Sequence, residues 1–201
     1  SVRAGLFSKE FIIPIDINFS NQEGRFVFYA INDAGNIEAN GHNEDIPLGG
    51  IVDNTDFDKD GPQIYAYLNN EEFQNGGTVN ATPLFVAQLS DASGISSSGN
   101  GIGHDLSLCI DGRSDLTYNI NEYYSNEFGD FTKGTVAYNI PTLTNGAHSL
   151  TFRAWDVLNN TSQIQLDFVV DNTMATDILH MVASQNPATT GTNFMISYDL
   201  P

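Results

Sequence analysis

Apolar residues in this chain recur in short runs with a period of two, and Gly, Asn, Asp or Pro closes each run. No other feature constrains the fold as tightly. A period of two sets one face of a strand against a core and the other in water, whereas a packed helix needs a period near 3.6. Gln63-Ile-Tyr-Ala-Tyr-Leu68 is such a run, as are 83–89, 106–110, 116–120, 134–140, 149–155 and 163–170. No amphipathic helix of useful length competes with them. Short strands of this number with turn signals between them predict an all-β chain built around an immunoglobulin-like β-sandwich.

The flanks read as partial β-units. Gly24-Arg-Phe-Val-Phe-Tyr-Ala-Ile31 is a strand with Phe26 and Phe28 on one face and Val27 and Tyr29 on the other. Asn32-Asp-Ala-Gly-Asn36 is a tight turn, and 37–43 returns. Phe11-Ile-Ile-Pro-Ile-Asp-Ile17 is β-rich, with Pro14 confining it to an edge or bulge. Phe28-Tyr-Ala-Ile-Asn-Asp-Ala-Gly-Asn36 parallels Phe152-Arg-Ala-Trp-Asp-Val-Leu-Asn-Asn160, so both are expected to be the last hairpin of a sandwich-type unit. Residues 1–52 are then the end of a preceding β-unit, 53–172 the sandwich, and 173–201 the start of a further, truncated unit. Within the sandwich, 69–80 and 121–130 are expected as loops, the second with one helical turn at Glu122-Tyr-Tyr-Ser. Trp155 is expected in the core and Cys109 as a buried structural thiol.

The charge balance narrows the partners. Lys and Arg number 7 against 25 Asp and Glu, a formal charge of −18. Phosphate backbones and anionic lipid surfaces are repelled by such a chain, so nucleic acid is excluded as a partner. The balance suits an exported or surface module, a cation-binding one, or solubility alone. One cysteine permits no intrachain disulfide. No run is long and apolar enough for a membrane-spanning helix. The opening Ser-Val-Arg-Ala-Gly-Leu-Phe has no leader pattern and reads as a cut into a longer chain.

Asp56-Phe-Asp-Lys-Asp-Gly61 has the opening Asp-x-Asp-x-Asp-Gly of a calcium loop: hard oxygens at alternate positions, with Gly for the sharp turn. The twelfth position is Tyr67 instead of Glu, and a strand follows instead of a helix. Asp53, Asp56, Asp58 and Asp60 are the candidate Ca²⁺ ligands. The competing reading is a solvated acidic linker. Gly99-Asn-Gly-Ile-Gly103 leads into a strand and so is no dinucleotide loop. His104 is expected as a strand-end histidine satisfied by the backbone, and His42, His148 and His180 are dispersed. Tyr123, Tyr124, Phe128 and Phe131 form either a partner-binding patch or a loop folded over the sandwich edge. No nucleophile–base pair is visible, so no catalytic residue is named.

Several stretches carry a family resemblance. Gly61-Pro-Gln-Ile-Tyr-Ala-Tyr-Leu-Asn-Asn70, Asn75-Gly-Gly-Thr78, Leu89-Ser-Asp-Ala-Ser-Gly-Ile95, Gly99-Asn-Gly-Ile-Gly-His-Asp105, Gly146-Ala-His-Ser-Leu150 and Ala154-Trp-Asp-Val-Leu-Asn-Asn160 resemble the C-terminal β-sandwich region of the PorU-type proteins. These are type IX secretion signal peptidases, or sortases, of Bacteroidetes, within the gingipain-like C25 cysteine peptidases. The resemblance extends over nearly the whole chain, with Gly99–Asp105 its most specific piece. The tail 185–201 looks like a degenerate Tyr-Pro-Asn-Pro-Phe opening of a next β-domain, lacking the Tyr and the Phe. The resemblance implies a parent that cleaves C-terminal sorting signals from cargo at the outer membrane, with its Cys–His dyad upstream. It implies that this chain is non-catalytic, located at the cell surface, and partnered by the upstream peptidase domain and outer-membrane secretion components. The alternative is a carbohydrate- or protein-binding adhesin-type module using loops 91–103 and 121–131.

Overall fold

A computed structural model describes residues 6–8, 13, 23–47, 58–97, 103–174, 177–183 and 194–199, the last two as backbone strands. The strands in chain order are β1 (Glu23–Ile31), β2 (Glu38–Pro47), β3 (Gln63–Leu68), β4 (Thr78–Val79), β5 (Leu84–Ser90), β6 (Ser107–Ile110), β7 (Thr117–Asn119), β8 (Tyr124–Glu127), β9 (Asp130–Asn139), β10 (Gly146–Trp155), β11 (Thr161–Val170), β12 (Asp177–Ala183) and β13 (Phe194–Asp199). Single 3-10 turns at Ser114–Leu116 and Asn121–Tyr123 are the helical pieces among the described residues. No helix there is long and apolar enough to cross a membrane.

Two sheets make the sandwich. One has the order β3-β5-β9-β8 and the other β4-β11-β10-β6-β7. All pairings are antiparallel except β4 with β11, which run parallel. The period of two decides which side chains meet between them. From the first sheet come Leu68, Phe85, Ala87, Leu89 and Val136. From the second come Leu108, Ile110, Leu150, Phe152, Ala154, Phe168 and Val170. The Phe85 and Phe152 rings join the two layers at 5.0 Å between centroids, tilted by 54°. Each such buried Leu, Ile or Phe contributes roughly 1.5–3 kcal/mol relative to exposure, and together they hold the layers face to face.

The all-β sandwich agrees with the reading of the sequence, and four local expectations do not. Trp155 alternates with the buried Phe152–Ala154 face, so its ring lies half-buried against His104, at 4.4 Å, outside the core. Cys109 likewise sits between inward Leu108 and Ile110 and is only half-buried, its Sγ 3.5 Å from the Arg113 carbonyl. Residues 78–79 and 124–127, read as loop, are strands β4 and β8. Both are too short or too polar to show a period, and pairing with β11 and β9 makes them strands. The Phe11–Ile17 strand, apart from Ile13, and residues 98–102 lie outside the described residues.

Two further pairs of strands stand apart from the sandwich sheets. β1 and β2 form an antiparallel hairpin, and β12 and β13 form another. The β1–β2 turn shares one side-chain hydrogen bond and one left-handed residue with the β10–β11 turn. Asn32 Oδ1 accepts the N–H of Asn36 at 3.0 Å, and Asp156 Oδ1 accepts that of Asn160 at 2.6 Å. Gly35 and Asn159, three residues into each turn, both have φ of 68°. The echo in the sequence is therefore an echo in hydrogen bonding.

Candidate functional site

Three aspartates converge at one end of the sandwich. Asp58 lies in the stretch that leads to β3, Asp91 immediately follows β5, and Asp156 immediately follows β10. One carboxylate oxygen from each falls within 4.8 Å of the other two. Asp156 is fully buried and Asp91 is 9% exposed.

Short-range backbone chemistry sets each of them. Asp91 Oδ1 accepts the Ser93 N–H at 2.7 Å, and its carbonyl accepts that of Gly94 at 3.1 Å, which folds the chain back at once after β5. Gly94 has φ of 99° and sits on the Phe131 ring, where a side chain would be strained. Asp156 Oδ1 takes the N–H groups of Leu158 and Asn160, and its Oδ2 takes the Asn160 amide at 2.7 Å. The same amide donates to the Asp58 carbonyl at 3.0 Å, and Ser93 Oγ donates to Asp58 Oδ2 at 3.3 Å. Gly61 fixes the approach of this stretch: a Cβ there would run into the Thr161 carbonyl at the start of β11. Asn160 and Gly61 thus fasten residues 58–61 onto the β10–β11 hairpin.

The electrostatics are unfavourable for three bare carboxylates. Burial, then the neighbouring charges of Asp156 and Asp58, hold the Asp91 carboxyl above its ordinary range, while the Ser93 and Gly94 N–H groups pull it down. Two such charges about 5 Å apart repel by roughly 3 kcal/mol at an effective dielectric near 20. The ion pairs among the described residues are Arg25–Glu44, Arg113–Asp115 and His148–Asp111, and none reaches the three aspartates. The donors are all hard oxygens, with no His or Cys in the group. That chemistry fits Ca²⁺ or a similar hard cation, with carbonyls and waters completing its six to eight ligands.

Of the four aspartates singled out in the sequence, Asp58 is in this group. Asp60 is exposed and donates its N–H to Asp58 Oδ1 at 3.1 Å, while Asp53 and Asp56 lie outside the described residues. Asp91 and Asp156 were missed as ligands. Each directly follows an apolar strand, but nothing local marks it as a ligand, because only the packing of the two sheets brings those strand ends to Asp58.

The other candidates separate. Tyr123 is half exposed and packs edge-on against Tyr138 at 4.8 Å. Tyr124 lies over the sandwich edge, where burial and the Asp130 charge push its hydroxyl up to about 12. Cys109 has carbonyls, those of Ile110 and Arg113, as its hydrogen-bond partners among the described residues. His148, near the other end of β10, bonds Asp111 Oδ2 through Nδ1 and the Thr144 carbonyl through Nε2, both at 2.8 Å.

No family model and no curated protein matches the chain. Among solved structures, it is similar to dimeric latent PorU from Porphyromonas gingivalis, with 38% sequence identity and a TM-score of 0.59. That match covers 95% of this chain and 18% of the PorU chain. An endo-β-1,4-mannanase from Thermotoga petrophila shares 13% identity over 55% of this chain and 20% of its own, with a TM-score of 0.36, a likeness that bears on neither fold nor activity. With identity of that level sustained across a shared fold, the chain is a PorU-like region that spans less than a fifth of the length of that protein.

Proposed function

We propose that this chain is a non-catalytic accessory β-sandwich portion of a type IX secretion sortase, a cysteine peptidase that removes C-terminal sorting signals from secreted cargo. Its role is to brace the peptidase domain or dock it to outer-membrane partners at the cell surface. The observation that carries this reading is the 38% identity to PorU along 95% of the chain. The position of Cys109 supports it: among the described residues its thiol has two carbonyls, and no base, as hydrogen-bond partners. The test is to incubate this chain with peptides ending in a sorting signal. The expected result is no cleavage, unchanged by Cys109→Ala. Cysteine-dependent cleavage that Cys109→Ala abolishes would overturn the reading.

The proposal extends to organisation and to a cation. Residues 1–52 close a preceding β-unit, 53–172 form the sandwich and 173–201 open a further unit; the matching hairpin turns support the first division. Asp58, Asp91 and Asp156 hold Ca²⁺, and the ion stiffens the junction before β3; Asp60, and Asp53 and Asp56 outside the described residues, stay further candidates from the sequence. The convergence of three carboxylates, with no ion pair to a cationic side chain among the described residues, supports this. Calcium is expected to raise the melting temperature of the chain, and Asp58→Ala to abolish the gain. A melting temperature indifferent to both would remove the ion from the account.

A further inference from the structure

The outer face of the β3-β5-β9-β8 sheet is an open trough of about 610 Å³. Register fixes what lines it. Tyr65 pairs with Gln88, Gln88 with Thr135, and Thr135 with Ser125, so one straight row of outward side chains crosses all four strands. Strands about 4.8 Å apart make that row roughly 14 Å long, the span of a short oligosaccharide. Beside it Gln63 pairs with Ser90 and Ser90 with Lys133. The intervening residues Ala87, Leu89 and Val136 point into the core, so the face stands on a rigid layer.

The chemistry of the row is an aromatic ring next to amides and hydroxyls. The Tyr65 ring is 53% exposed and lies 5.8 Å from that of Tyr67. The Gln88 amide is placed between the Glu71 carboxylate, at 3.5 Å, and the Tyr67 hydroxyl. A sugar ring presents an apolar C–H face and a rim of hydroxyls. The exposed ring can stack on the first, and the amide and hydroxyl groups can pair with the second. Charge narrows the class further. The trough is lined by one lysine, Lys133, and one glutamate, Glu127, and the Glu71 carboxylate lies beside the Gln88 amide, so the local charge balance does not favour an acidic sugar. The chain at −18 repels acidic glycans. A peptide strand would add at a sheet edge instead of across this face.

We propose that the outer face of the β3-β5-β9-β8 sheet, centred on the Tyr65 ring and the Gln88 amide, binds a neutral oligosaccharide. The inference is independent of the sortase reading, since it rests on strand register and side-chain chemistry alone. It also moves carbohydrate binding from the loops at 91–103 and 121–131 onto a sheet face.

The experiment titrates the isotope-labelled 201-residue chain with hexaoses of β-1,4-linked glucose, mannose and N-acetylglucosamine, and with hexagalacturonate as the acidic control. With at least one neutral hexaose, amide shifts are expected to change at Tyr65, Gln88 and Thr135, with none for the control. Tyr65→Phe keeps the stacking ring and should bind within a few fold of the parent. Tyr65→Ala should weaken binding roughly tenfold or more, with an unchanged melting temperature because the side chain is exposed. No shifts with any neutral hexaose, shifts confined to other surfaces, tighter binding of the acidic control, or undiminished binding by Tyr65→Ala would each overturn the proposal.

Discussion

Asp91 is nearly buried, it faces two other carboxylates, and its carboxyl is held above the usual range by burial first and by those charges second. Asp91→Asn keeps an oxygen for the Ser93 N–H and removes one charge. In chelating buffer this variant should be more stable than the parent by about 1 kcal/mol, or roughly 2–4 °C in melting temperature for a chain this size. It should also lose the stabilisation by calcium, and calorimetry with and without the ion reads both. Asp156→Ala is less informative, because it also removes the acceptor that closes the β10–β11 turn. His148 gives a pH dependence. The Thr144 carbonyl can only accept, and so can the Asp111 carboxylate, so both ring nitrogens bond fully only in the imidazolium. Burial alone would lower the His148 pKa, but the Thr144 carbonyl and Asp111 carry it above its ordinary value. Its stabilising contribution is therefore complete below about pH 6.5 and is lost as pH rises through the folded value. Asp111 is shifted the other way: burial opposes, while the Ser149 N–H and His148 hold it down. Its contribution is present above about pH 3.9 and is lost as pH falls through the folded value. Melting temperatures from about pH 5 to about pH 9 should fall on the alkaline side more steeply in the parent than in His148→Gln. Parallel curves would contradict the doubly bonded imidazolium.

Among the elements, the β10–β11 hairpin organises the site, and Gly61 is where the preceding stretch must touch it. Any side chain at Gly61 meets the Thr161 backbone, which cannot give way as a flexible side chain would. Gly61→Ala should cost about 1–3 kcal/mol and weaken the calcium response, as the displaced stretch carries Asp58 away from its partners. Chemical denaturation measures the first, and a calcium titration the second. The paired hairpins make a second test. Phe28 is the counterpart of Phe152, yet it is 39% exposed where Phe152 is fully buried. If β1–β2 closes a preceding unit, a cysteine at Phe28 in the longer parent polypeptide should resist maleimide while one at Val27, on the opposite face, reacts. Equal reactivity would contradict that division. The strands of the sandwich were legible because their alternation is strong, as in 63–68 and 149–155. β8 was not, because Tyr-Ser-Asn-Glu carries no period and becomes a strand only by pairing with β9. Trp155 and Cys109 show the same limit at finer grain: residue type suggested the core, and strand parity placed both on the outward side. Asp58 was legible from its local Asp-x-Asp spacing. Asp91 and Asp156 lie 33 and 98 residues further along, and only the packing of the two sheets brings them to Asp58.

For the molecule as a whole, a core shared by two sheets supports an acidic exterior whose features are all at ends and faces. The Phe85–Phe152 contact spans both layers, so Phe152→Ala should cost about 3–5 kcal/mol and loosen the aspartate cluster along with everything else. A scaffold of that kind suits the accessory role proposed above. The most direct measurement labels the full-length parent, in its native membrane fraction, with a thiol-directed peptidase probe and maps the modified residue. The account predicts modification of a cysteine outside residues 1–201, with Cys109 untouched. Labelling at Cys109, lost in Cys109→Ala together with sorting-signal cleavage, would contradict it.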